Sequence, residues 1–117
     1  MESKSTLREE INKMIEEQRG NCAQIIFSTF GPHLGSQKIS SNACMSIAAA
    51  FGGGINLTGN VCGAITGALM TLGLKYGKNI QEVTRISNQL MEEFTAIHGS
   101  IICRELIGQD LSYDENT

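Results

Sequence analysis

The sequence lacks several features that would assign it to a common class of protein. It has no Trp, only four Phe and two Tyr, so its core must be mainly aliphatic. Lys and Arg number 9 against 12 Asp and Glu, and the net charge of −3 argues against nucleic-acid binding, which needs clustered basic residues. No apolar run reaches the ~18 residues of a membrane span, so we expect no membrane insertion.

The N-terminal residues also lack the features of a secretory signal. The segment MESKSTLREE is polar, whereas a signal peptide carries an apolar stretch of about 7–15 residues. We therefore expect a cytoplasmic protein. In that reducing compartment, four Cys are more typical of catalysis, redox chemistry or metal binding than of structural disulfides.

The hydrophobic pattern predicts helices and no strands. Apolar residues recur every three or four positions, and no segment shows sustained alternation of apolar and polar residues. At 117 residues we expect one domain, over residues 1–117, folded as a compact all-α bundle of five or six helices. The predicted helices run from Thr6 to Gly20, from Asn21 to the Gly31-Pro32 stop, from Ser36–Ser40 to Phe51, from Thr58 or Asn60 to Lys75 or Tyr76, from Asn79 to about Gly99, and from Ser100 to Gly108.

Residue types at the helix ends support these limits. Thr6 and Glu9 have the spacing of a capping box, and Gly20 is expected to end the first helix. The Gly31-Pro32 pair is expected to stop the second helix and to begin a loop that reaches Gln37, because Pro disfavours helical geometry in the residue before it.

The four cysteines lie far apart, and their local contexts differ. There is no C-x-x-C, so neither a thioredoxin-type pair nor a zinc ribbon is encoded locally. Three of them closely follow a residue that caps helices well: Cys22 after Asn21, Cys62 after Asn60 and Cys103 after Ser100. A helix N-terminus carries roughly half a positive charge and stabilises a thiolate. Cys44 falls in mid-helix, and any of the four could instead serve only as core.

The segment from Phe51 to Gly67, FGGGINLTGNVCGAITG, is unusually rich in glycine, and its first part is expected to form a Gly-rich loop that leads into the next helix. Such a loop can bind anions, but it has neither the Gly-Lys-Ser/Thr of a P-loop nor the preceding strand of a dinucleotide fingerprint. Gly63 and Gly67 indicate either a tight helix contact or space beside Cys62 for a sulfur, metal or substrate. On the second interpretation they are candidate cofactor-binding residues.

His98 is a further candidate, because it lies five residues before Cys103. A His beside a thiol can act as its base, although a His at a helix end is more often hydrogen-bonded to backbone or water. His33 follows the Gly31-Pro32 pair and is expected to be solvated.

Several motifs, taken in order, resemble the pattern of one protein family. They are Asn21-Cys-Ala-Gln24, Phe51-Gly-Gly-Gly-Ile55, Cys62-Gly-Ala-x-x-Gly67-Ala68, Leu72-Gly-Leu74 and Cys103-Arg-Glu-Leu-x-Gly108. They are similar to the C_GCAxxG_C_C family of small bacterial and archaeal proteins described as redox-active. The resemblance spans residues 20–112. It implies a helical fold and assigns the redox role to Cys22, Cys62 and Cys103.

The chain departs from that pattern at one position. The family's fourth Cys lies further toward the C-terminus, and here no Cys follows Cys103. Either Cys44 replaces it, or the chain is shortened, or the site works with three thiols. Related Cys patterns are also similar to a cluster-binding domain of split-Soret cytochromes, so iron–sulfur binding stays open.

Three functions are therefore predicted, in this order. The first is a small redox protein that exchanges thiols and disulfides or transfers electrons through Cys62, with Cys22 or Cys103 as its partner. The second is an iron–sulfur cluster or zinc site on Cys22, Cys62 and Cys103, with Cys44, His98 or an external ligand as the fourth. The third is a non-catalytic helical module for a redox or transporter-associated partner. Whether it is an enzyme, and whether it forms homo-oligomers, stays open.

Overall fold

The chain folds as an all-α bundle, as predicted. The computed structural model describes residues 4–34 and 38–108, and the side chains of that part from residue 9 onward. Its helices are α1 (Lys4–Glu16), α2 (Cys22–Leu34), α3 (Ser41–Ile47), α4 (Gly63–Tyr76), α5 (Ile80–His98) and α6 (Cys103–Ile107), with a 3-10 turn at Ala49–Phe51. Across these residues the only extended pairing is an isolated antiparallel bridge between Val61 and Ile102.

Helix α2 is the centre of the bundle, because it packs against α1, α3, α4 and the 3-10 turn. The buried core beside it is small and contains Ala23, Phe27, Cys44 and Ala48. Cys44 is 0% exposed, which agrees with its prediction as a core residue. Across the described residues, no helix has both the length and the apolar content needed to cross a bilayer.

Two glycines allow α4 to lie very close to α2. A Cβ added at Gly63 would lie 2.8 Å from the backbone nitrogen of Ala23, and one at Gly67 would lie 3.0 Å from the carbonyl oxygen of Ala23. The structure therefore has the tight helix contact that was one interpretation of these glycines. The space considered for a ligand beside them is filled by α2.

The first helix differs from its prediction at both ends. It begins at Lys4, so Thr6 lies inside it rather than at its cap. It ends at Glu16, and Gln18 rather than Gly20 takes the left-handed backbone, with φ 53°. Gly20 lies in a tightly packed place, because a Cβ there would lie 3.1 Å from the Cε of Met45.

Helix α2 continues through the Gly31-Pro32 pair that was expected to stop it. Pro32 has no N–H to donate to the carbonyl oxygen of Ser28, and the hydroxyl of Ser41 donates to that oxygen at 3.4 Å. Gly31 also allows α3 to lie close to α2. A Cβ added there would lie 3.0 Å from the Sγ of Cys44. Residues 31–34 are thus helical, and the rest of the expected loop, residues 35–37, lies outside the described residues.

The other helix limits agree with the prediction in part. Helix α3 is shorter than expected and begins after Ser40, whose hydroxyl accepts from the backbone of Ala43 at 3.0 Å. Asn79 caps α5 as predicted, accepting from the backbone of Glu82 at 3.1 Å. Gly99 ends α5 with φ 90°.

Ser100 was expected to be the N-cap of the last helix, but that position belongs to Ile102. The Ser100 hydroxyl accepts from the backbone N–H of Ile102 at 2.9 Å and donates to the carboxylate of Glu105 at 2.7 Å. Its side chain therefore stabilises the turn that leads into α6 from a position two residues before the N-cap.

Candidate thiol site

Cys22 is the first residue of α2, at a helix end held by reciprocal capping. The side-chain oxygen of Asn21 accepts from the backbone N–H of Gln24 at 2.9 Å, and the Oε1 of Gln24 accepts from the backbone N–H of Asn21 at 3.0 Å. The same side chains donate to the carbonyl oxygens of Ala49 and Met45, at 3.1 and 3.0 Å. The predicted cap is thus confirmed, and it is fastened to the neighbouring segments. The Cys22 side chain is exposed.

Cys62 is the N-cap residue of α4 and is half-buried. Helix α4 was expected to begin at Thr58 or Asn60 but begins at Gly63. The backbone before it has positive φ values from Gly53 to Leu57 and at Gly59, which a right-handed helix does not contain. The carbonyl oxygen of Cys62 accepts from the backbone of Thr66 at 3.1 Å, and its N–H donates to the carbonyl oxygen of Ile101 at 2.7 Å. These bonds attach the start of α4 to the segment before α6.

Cys103 is the first residue of α6, and its side chain is 8% exposed. Its N–H donates to the carbonyl oxygen of Asn60 at 2.6 Å, on the other side of the Val61–Ile102 bridge from the bond of Cys62. Side chains alternate between the two sides of extended chains, so Cys62 and Cys103 lie on the same side as diagonal neighbours. In a regular antiparallel pair, the Cα atoms of such diagonal neighbours are about 7–8 Å apart.

Cys22 lies near Cys62 because the start of α2 is in close contact with the start of α4. A Cβ added at Gly63, the residue after Cys62, would lie 3.0 Å from the Cβ of Cys22. A larger residue at position 63 would therefore push the two helix ends apart. The structure thus brings Cys22, Cys62 and Cys103 together from positions far apart in the sequence.

The three thiols influence one another electrostatically. Loss of surrounding water raises the pKa of Cys22, the neighbouring Cys62 raises it further, and the backbone N–H of Cys22 lowers it in part. Burial raises the pKa of Cys103, with further increases from Cys62 and Cys22. The expectation that the helix ends lower these pKa values is therefore wrong for Cys22 and Cys103. Desolvation and repulsion between like charges outweigh the attraction of the helix N-terminus.

A left-handed loop covers the cysteines on one side. The residues from Gly53 to Leu57 have φ values of 63°, 70°, 64°, 50° and 63°. Ile55, Asn56 and Leu57 take this conformation without being glycine, and for a β-branched residue it is strained. The FGGG motif predicts a turn here, but it contains no signal that the three residues after the glycines would continue it.

Contacts at both ends of this loop position it between two of the cysteines. Gly52 packs against the side chain of Asn21, next to Cys22. A Cβ added at Gly54 would lie 2.7 Å from the Cβ of Cys103. The Thr58 hydroxyl donates to the carbonyl oxygen of Gly54 at 2.7 Å and accepts from the side-chain amide of Asn60 at 2.8 Å. The loop thus lies against Asn21 at one end and against Cys103 near its middle.

Two other sequence candidates lie elsewhere. Cys44 packs beside Gly31, which is about 13 Å along α2 from Cys22 at the usual helical rise, so it does not replace the family's fourth cysteine. Its pKa is raised by burial. The His98 ring contacts that of Phe94, with centroids 4.4 Å apart, and is exposed at the end of α5.

The predicted metal site has no preformed counterpart in the described part of the chain. Among those residues, no three His, Cys, Asp or Glu side chains are grouped so that they could hold a metal ion. Coordination by Cys22, Cys62 and Cys103 would therefore require the three sulfurs to move closer together. All four cysteines are free thiols in this structure.

Comparison with protein-family models gives one match, over residues 20–117. The matching family is described as "Putative redox-active protein (C_GCAxxG_C_C)". It covers every cysteine and every described helix except α1. Comparisons with curated proteins and with solved structures returned no match.

Proposed function

The chain belongs to the C_GCAxxG_C_C family, and from this we propose that it is a dithiol redox protein. In this proposal Cys62 forms a reversible disulfide with Cys22 or Cys103, either in exchange with other thiols or in electron transfer. The protein would act as one helical domain in the cytoplasm, where reductants keep its thiols available.

One observation carries the proposal: Cys62 adjoins Cys22 at the Gly63 contact and Cys103 across the Val61–Ile102 bridge, and it raises the pKa of both. Such an effect requires the sulfurs to lie within a short electrostatic range. Cys62 is thus the common neighbour of the other two.

The same proximity is what disulfide formation needs. A disulfide requires Cα atoms about 4.4–6.8 Å apart. Regular diagonal neighbours lie about 7–8 Å apart, so Cys62 and Cys103 must move slightly closer to form one. Each of the three cysteines lies at the start of a helix or at its cap, where small backbone changes are less costly than within a helix.

The proposal is tested by anaerobic oxidation of the purified protein with diamide. We expect a mass loss of two hydrogens and a free-thiol count that falls from the four Cys of the sequence to two, both reversed by dithiothreitol. Cys62→Ser should abolish the intramolecular disulfide, and the control Cys44→Ser should retain it. An unchanged disulfide in Cys62→Ser would exclude Cys62 from the pair.

The same preparation tests the metal alternative. Protein purified without oxygen is assayed for zinc, for iron and for visible absorption. Metal in a stoichiometric amount that disappears in Cys62→Ser would favour that alternative over the dithiol proposal.

A further inference from the structure

We propose that the three cysteines form a relay, in which Cys22 reacts with an external disulfide and Cys62 and Cys103 hold the final protein disulfide. This inference rests on the proposed dithiol function. It adds the substrate class, a disulfide, and the direction in which oxidation moves through the site.

The three cysteine residues, taken as whole residues, differ in exposure in a graded order. Cys22 is exposed, Cys62 is half-buried and Cys103 is 8% exposed beneath the left-handed loop. Thiol–disulfide exchange requires the attacking sulfur to reach the disulfide in line with its S–S bond. An external disulfide therefore meets Cys22 first and cannot approach Cys103 without displacement of the loop.

Cys62 adjoins each of the other two cysteines, and Cys22 and Cys103 also interact electrostatically with each other. It adjoins Cys22 through the close contact at Gly63, and it adjoins Cys103 through the antiparallel pairing around the Val61–Ile102 bridge. Two hydrogen bonds of 2.7 and 2.6 Å hold that second pairing. Each transfer in the relay therefore takes place between neighbours.

The exchange proceeds in three balanced steps. The Cys22 thiolate attacks one sulfur of the external disulfide, forms a mixed disulfide and releases one external thiolate. The Cys62 thiolate then attacks the Cys22 sulfur, forms the Cys22–Cys62 disulfide and releases the second external thiolate. Cys103 attacks the Cys62 sulfur, which breaks that disulfide, forms Cys62–Cys103 and returns Cys22 as a thiolate.

Two electrons thus pass from Cys62 and Cys103 to the external disulfide. The protons of those two cysteines end on the two released external thiols, and Cys22 is restored as a thiol. The third step is the slowest, because burial disfavours the attacking thiolate of Cys103. Its product leaves Cys22, the exposed cysteine, free again.

The relay is tested with the reduced full-length wild-type protein and glutathione disulfide as the probe. Samples are quenched in acid over time, blocked and digested with trypsin, which puts Cys22, Cys62 and Cys103 in different peptides by cutting after Lys38 and Lys75. Cys44 shares the peptide of residues 39–75 with Cys62, and fragmentation of that peptide distinguishes the two. We expect glutathione first on Cys22, then a Cys22–Cys62 disulfide, and finally a Cys62–Cys103 disulfide with Cys22 free.

Rates in two variants test the entry point. Cys22→Ser should react with glutathione disulfide at least ~10-fold more slowly than wild type, because the remaining thiols of the site are less accessible. Cys44→Ser, whose thiol lies in the core, should react at the wild-type rate. Circular dichroism checks that both variants fold, and the wild-type map decides the final pair without any variant.

The outcomes separate the relay from the proposed function. A final Cys22–Cys62 or Cys22–Cys103 disulfide, or an undiminished rate in Cys22→Ser, would overturn the relay and leave the dithiol function standing. Glutathione adducts without any intramolecular disulfide would overturn both.

Discussion

A single cysteine at the start of a helix is subject to opposing influences, as Cys22 illustrates. Its own backbone N–H lowers its pKa, while loss of water and the neighbouring Cys62 raise it. The larger influences raise the pKa, so at neutral pH less of this thiol is ionised than in a free cysteine. Reactivity at this residue therefore depends on accessibility more than on acidity.

This balance predicts the pH dependence of Cys22 alkylation. With a raised pKa, the reaction with iodoacetamide should be slower at neutral pH than that of free cysteine and should keep increasing above the ordinary thiol range. In Cys62→Ser, loss of the like charge should move the profile to lower pH. Alkylation is followed by mass spectrometry of the peptide that contains Cys22. A profile that does not move would show that the two thiols do not interact.

Ile55 is the most strained residue of the left-handed loop, because it is β-branched at φ 64°. We expect Ile55→Asn to stabilise the protein by about 1 kcal/mol, because Asn tolerates this conformation better. The change is measured by urea unfolding. Ile97→Asn, at an exposed position in α5, is the control and should give no such gain. Equal effects of the two substitutions would contradict the strain at Ile55.

At the scale of the elements, the contact of α2 with α4 determines whether the thiols meet. Gly63 and Gly67 remove the side chains that would separate the helices, and the same glycines cost α4 intrinsic stability. These glycines therefore lower the intrinsic stability of α4 but allow the tertiary contact that brings Cys22 near Cys62.

Two glycines of α4 provide a matched test of the effect of close packing on stability. Gly63→Ala should lower the free energy of unfolding by about 1–3 kcal/mol, because its Cβ would collide with the backbone of α2. Gly73→Ala should raise it by about 0.5–1 kcal/mol, because no atom lies within 4 Å of the added Cβ. Both are measured by urea unfolding under reducing conditions. A stabilising Gly63→Ala would contradict the close contact.

At the scale of the whole molecule, burial is unevenly distributed among the helices. Helix α2 contains buried residues along its length, whereas α5, although it is the longest described helix, contains none. The apolar residues of α5 are at best half-buried against α4. We therefore expect local unfolding of α5 to require less free energy than unfolding of α2.

Native-state hydrogen exchange followed by mass spectrometry checks this expectation. The amides of α2 should be the slowest to exchange, and those of α5 should exchange at least ~10-fold faster, because they can open without exposing the core. Equal protection of the two helices would contradict this difference in local stability.

The helical class of this protein follows from its sequence, because helix formation depends on contacts three or four residues apart. The caps at Asn21 and Asn79 could be predicted for the same reason: each acts on a backbone N–H three residues away. The family resemblance further indicated which three cysteines to consider.

Only the tertiary structure decided features that depend on residues distant in the sequence. Helix α2 passes through Pro32, and Ser41 from α3 donates to the carbonyl oxygen of Ser28 that Pro32 leaves without a backbone donor. The sequence could not show that Cys22, Cys62 and Cys103 meet, or that their proximity raises the pKa of Cys22 and Cys103. Capping is a local interaction, whereas desolvation and charge repulsion depend on which segments the fold brings together.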